Sequence, residues 1–61
     1  MNYEIASQAQ VDFLHKHGIE CKIGDIVDVD PMLAAFANRF ARLIFSDNPE
    51  FNGKHIPAFV P

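Results

Sequence analysis

The stretch Asp30 to Phe45 (DPMLAAFANRFARLIF) reads as one helix with more apolar surface than so short a chain can easily cover. Asp30 is a good N-cap, and Pro31 suits the first helical position, where its missing N–H is no loss. With residues placed at about 100° intervals, Met32, Leu33, Phe36, Ala37, Phe40, Leu43 and Ile44 fill one broad arc. Ala34, Ala41 and Phe45 widen it, leaving Ala35, Asn38, Arg39 and Arg42 as a narrow strip that is largely polar. A helix apolar over well more than half its girth must be covered from several sides.

Size sharpens that demand. A chain of 61 residues buries only about 60% of its unfolded surface and needs help from disulfides, a metal, assembly or very good packing. The single cysteine, Cys21, excludes an internal disulfide and fits a reducing compartment. An apolar fraction of 49% is that of a folded domain rather than a disordered chain. The net charge of −3 and the scattered Lys16, Lys22, Arg39, Arg42 and Lys54 offer no clustered basic surface for phosphates, so a nucleic-acid partner is not expected. The N-terminus lacks the basic and apolar regions of an export signal. The apolar run at 31–46 is too short for a bilayer and is interrupted by Arg39 and Arg42. The expectation is a cytoplasmic protein with no membrane segment.

Local signals divide residues 1–61, read as a single small domain, into four parts. Ser7 with Gln10 matches a capping box, so a short helix is expected over about 7–17, closed by Gly18 with Ile19 packed just beyond. That start makes Tyr3 to Ile5 extended, whereas a start at Asn2 would make them helical. Ile19, Cys21 and Ile23 alternate with Glu20 and Lys22, and Gly24-Asp25 suits a two-residue turn before Ile26, Val27 and Val29. A hairpin over about 19–29 follows, with a loop and an earlier second helix as the alternative. The long apolar helix should run over about 31–46 and stop at Asp47-Asn48-Pro49. The tail, 47–61, holds an Asn52-Gly53 turn, and beyond Glu50 Pro57 and Pro61 forbid helix; it is expected to lie extended across a hydrophobic surface. The fold class is therefore α+β, with all-α as the alternative.

No motif specifies a reaction. His15, His17 and Cys21 fall within seven residues and His55 could join them, but the spacing matches no structural zinc pattern. Asp25, Asp28 and Asp30 lack the intervals and closing Glu of an oxygen-ligand calcium loop, and suit turn, strand and cap roles. Cys21 with a histidine would need a cleft and an orienting third group that this length hardly allows, and the strand pattern buries Cys21. A helix followed by a small hairpin would suit a winged DNA-binding module, yet the wing's aspartates would repel phosphate. Neither a catalytic residue nor a metal or other cofactor is assigned.

What remains is a binding surface. Ala34, Ala37 and Ala41 would let another helix approach closely. Phe36, Phe40 and Phe45, with Ile56 and Phe59 of the tail, are the expected anchors. The first helix returns mainly Val11, Phe13 and Leu14, too little to cover the second. The function expected is a non-catalytic protein-interaction module, a regulator or inhibitor of the phage or mobile-element accessory type. It would act as a homodimer or by binding a larger protein. The alternatives are a metal-stabilised or nucleic-acid-binding regulatory module, or a subunit completing another chain's site.

Overall fold

Asn2 and Glu4 are exposed while Tyr3 between them is buried, and this period-two pattern places the first residues in a strand, β1 (Asn2–Glu4). The computed structural model describes residues 1–55. After β1 come α1 (Gln8–Lys16), β2 (Ile26–Asp28), α2 (Pro31–Phe36) and a π-helical turn (Ala37–Ala41) that continues α2. The fold is α+β: the two strands form an antiparallel sheet, with Asn2 opposite Asp28, Tyr3 opposite Val27 and Glu4 opposite Ile26.

The partner of β2 is thus β1, reached across all of α1, and not residues 19–23. The pairing extends past the strands. The Ile5 N–H donates to the Asp25 carbonyl, the Gly24 N–H to the Ile5 carbonyl and the Val29 N–H to the Met1 carbonyl, each at 2.8 Å. Residues 19–25 connect α1 to β2 without forming a strand. There the Asp25 carboxylate accepts the Lys22 N–H at 3.1 Å and closes a turn, so Gly24 (φ +98°) serves that turn and not a hairpin. An isolated 19–29 hairpin would have had only its own two strands to hold it; pairing with β1 brings Tyr3 and Ile5 into the core as well.

The caps of α1 follow the sequence closely. Ser7 is extended and its hydroxyl accepts the Gln10 N–H. Gly18 is left-handed, and the Ile19 N–H reaches back to the Leu14 carbonyl at 2.9 Å, a Schellman ending. Asp30 caps α2 by accepting the Met32 N–H at 2.8 Å. The second helix is shorter than its apolar run. Arg42 takes a left-handed conformation (φ 54°), and the Leu43 N–H bonds the Ala37 carbonyl at 3.0 Å. Helical structure therefore ends at Ala41, where the apolar run predicts Ser46.

That early stop reduces the apolar excess without removing it, since Met32, Phe36 and Phe40 stay exposed. Leu33, Ala34 and the fully buried Ala37 pack inward from the helix, whereas Leu43 (1% exposed) and Phe45 enter the core from the chain beyond it. A helix continued to Ser46 would carry Leu43 to Phe45 past the end of so small a core. Ala34 and Ala37 are consumed by this packing, leaving only Ala41 of the small-residue strip exposed.

Residues 47–53 form turns where the sequence predicts extended chain, and residues 56–61 of the expected tail lie outside the described residues. Ser46 and Asn48 side chains accept the Asn48 and Glu50 N–H groups, and Leu43 and His55 meet in an antiparallel bridge. Gly53 (φ +81°) lies so close to α1 that a Cβ there would sit 3.1 Å from the Ser7 hydroxyl and 3.2 Å from Gln10 Oε1. The core beneath comprises Tyr3, Ile5, Val11, Phe13, Leu14, Val29, Ala37 and Leu43. Among the described residues no helix is long and apolar enough to cross a membrane.

Candidate interaction surface

An aromatic row runs from the core out to solvent. Buried Tyr3 meets Phe45 edge-on at 5.7 Å between ring centroids, and Phe45 lies 6.1 Å from Phe13. Phe13 contacts His17 at 4.6 Å and Phe36 at 6.4 Å, and Phe36 meets Phe40 at 4.7 Å. Tyr3 and Phe13 are buried and Phe45 half-buried; at the outer end Phe36 is 46% and Phe40 67% exposed. Met32, 82% exposed, precedes Phe36 by one helical turn.

Met32, Phe36 and Phe40 stand four residues apart, so a pure α-helix would let them drift around its girth. The π turn bonds i to i+5 and is wider, so it advances each residue by less rotation and brings Phe40 back in line with Met32. The result is one apolar stripe beside the inward face of Leu33, Ala34 and Ala37, with the inner edge of Phe36 still against Phe13 and His17. Arg39 flanks it, its guanidinium 5.6 Å from the centre of the Phe40 ring. Phe36 and Phe40 are therefore surface residues, while Phe45 is half-buried against Tyr3 and Phe13. Ile56 and Phe59 lie outside the described residues.

The histidines and Cys21 do not converge. His15 and Cys21 line an open depression of about 370 Å³ with Glu20, Lys22 and Asp25, whereas His17 is taken into the aromatic row beside Phe36. His55 sits in the bridge to Leu43. Among the described residues no three His, Cys, Asp or Glu side chains are grouped to hold a metal. Asp25, Asp28 and Asp30 each have a partner of their own. Asp25 closes the turn, Asp28 pairs with the Met1 ammonium at 2.9 Å and Asp30 caps α2. Both partners of the Asp28 pair are exposed, so it adds little stability.

Loss of hydration first, and the nearby Asp25 charge second, push the Cys21 thiol above its ordinary range. The thiolate, the reactive form, is thereby held scarce at neutral pH. Alkylation by iodoacetamide at pH 7 should be slower than for an unstructured cysteinyl peptide, and Asp25→Asn should speed it modestly. A rate equal to the peptide's would contradict this placement.

Residue patterns did not flag the buried polar pair Gln10 and Asn52. Gln10 Nε2 donates to Asn52 Oδ1 at 2.8 Å, and Gln10 Oε1 accepts the Ala6 N–H at 2.7 Å. Asn52 Nδ2 donates to the Glu4 carbonyl, and its Oδ1 also accepts the Ser46 N–H at 3.2 Å. The pair ties the end of β1 and the start of α1 to the 46–53 turn. It is a structural clamp in which each side-chain polar atom of the pair has a partner within the chain. Compared with models of protein families, with curated proteins and with solved structures, the chain matches none.

Proposed function

We propose that this chain is a small non-catalytic protein-interaction module, a regulator or inhibitor that works by docking its Met32–Phe36–Phe40 stripe on a protein surface. The observation that supports this reading is the exposure of Phe36 and Phe40 at the outer end of an aromatic row rooted in the buried Tyr3 and Phe13. Single exposed apolar residues are ordinary, but a contiguous apolar stripe with a charged rim marks an interaction face. Aromatic side chains and arginine are also the groups that dominate interface energetics. Phe40 and Arg39 stand together here, already in contact, so little side-chain entropy is lost on docking.

Phe40→Asp tests the reading. At 67% exposure the substitution should change folding stability by no more than about 0.5 kcal/mol, as for other surface positions. Native mass spectrometry of the gently purified protein should show a dimer or a complex for the parent chain and a monomer for the variant. Loss of the thermal transition in Phe40→Asp would show the residue to be core, and a parent chain without any associated form would remove the basis of the proposal.

A further inference from the structure

The geometry points to a second copy of this chain as the occupant of the stripe, docked antiparallel about a two-fold axis at Phe36; this rests on the reading of the stripe as a docking face. Counting outward from Phe36, Met32 and Phe40 lie four residues to either side, and Asp30 and Arg42 six residues to either side. In an isologous pair each residue meets its mirror position on the other copy. Phe36 then faces Phe36, Met32 faces Phe40, and Asp30 faces Arg42, with Arg39 within reach of the same carboxylate. Charge along the helix is segregated in the way this arrangement needs: Asp30 precedes it, Arg39 stands in its second half and Arg42 follows directly, all of them exposed, while Asp28 is already paired with the Met1 ammonium. A parallel pairing would instead set arginine on arginine.

The apolar part of the match is also self-complementary. The unbranched Met32 side chain adapts to an aromatic face, and sulfur–aromatic contact is favourable. The π turn has a role in this, because it aligns Phe40 with Met32 and so keeps both within one seam. The size of the contact sets its strength. A standard interface takes about 800 Å² from each partner, roughly a fifth of the 4420 Å² this chain exposes. Three side chains and their rim offer less, so the pair belongs to the weak, reversible class.

Sedimentation equilibrium on the full chain, from roughly 1 μM to 1 mM, spans the range in which such a pair would form. The expected result is a concentration-dependent dimer. Asp30→Asn keeps the helix cap and removes the charge. Arg39→Gln with Arg42→Asn neutralises the other end, Asn being suited to the left-handed position. Each of these changes should weaken the dimer by roughly three- to tenfold, and combining them should weaken it no further than the more damaging one alone. Additive losses, or a dimer indifferent to both changes, would overturn the antiparallel arrangement. A chain monomeric throughout, yet carrying a different protein in native mass spectrometry that Phe40→Asp releases without loss of stability, would overturn the second copy as occupant and leave the docking face standing. A monomeric chain that unfolds on Phe40→Asp would overturn both.

Discussion

Asn52→Ala is expected to lower folding stability by about 2–4 kcal/mol, a large share of what a chain of this size has. Asn52 is 7% exposed and Gln10 fully buried, and 42 residues separate them. Removing the amide takes the donor from the Glu4 carbonyl and the acceptor from the Ser46 N–H. Gln10 Nε2 keeps only its longer contact to the Ile44 carbonyl, at 3.3 Å. Each buried group left without a partner costs about 1–3 kcal/mol, more than the net worth of the bond when made. Total stabilities run near 0.05–0.15 kcal/mol per residue, so the variant should melt well below the parent chain. Chemical denaturation followed by circular dichroism measures the loss directly. Gln10→Ala should behave similarly, and the double variant should lose less than the two single losses combined, because both single changes break the same network. Near-parent stability in Asn52→Ala would mean that water replaces the amide and that the 46–53 turn is held by its backbone alone.

The same clamp shows what could and could not be read from residue order. Ser7, Gly18 and Asp30 with Pro31 act within a few residues of themselves, and each performs the cap its chemistry suggests; Asn52-Gly53 stands in a turn as expected, but the Asn52 side chain reaches Glu4 and Gln10 far along the chain. Even so, Gln10 departs slightly from the capping-box pattern, accepting the N–H of Ala6 and not of Ser7. The strand pairing was not legible. Ile19, Cys21 and Ile23 have a strand's alternation, but alternation describes one segment and says nothing about its partner. Tyr3 and Ile5 carried an equally short pattern and won the pairing with β2 because they bury more completely. The helix end at Arg42 had no signal either: no glycine or asparagine stands at the left-handed position, and the turn is imposed by Leu43 entering the core. Of the expected anchors, Phe36 and Phe40 occupy the surface because that early turn spends Leu43 and Phe45 on the core instead.

Leu14→Ala is the second change expected to have a large effect, about 3–4 kcal/mol, the middle of the range for a leucine truncated inside a packed core. Leu14 is fully buried, and its carbonyl also holds the end of α1 by accepting the His17 and Ile19 N–H groups. The side-chain loss is one of packing alone, since alanine keeps that carbonyl and favours helix. A core that holds eight buried apolar residues among the described ones cannot close over the missing volume without moving β1, β2 or the helix. Met32→Ala provides the contrast: at 82% exposure it should shift stability by no more than about 0.5 kcal/mol in the monomer. Urea titrations of both variants at low and high protein concentration separate the two roles. Association of folded chains stabilises them by mass action, so the parent and Leu14→Ala should both gain stability as concentration rises, whereas Met32→Ala, lacking one element of the seam, should gain less. A Leu14→Ala loss below about 1 kcal/mol would place it outside the usual range for core leucines and would mean that the side chains around α1 relax into the space, a looser core than the burial of Ile5, Leu14, Val29 and Leu43 implies.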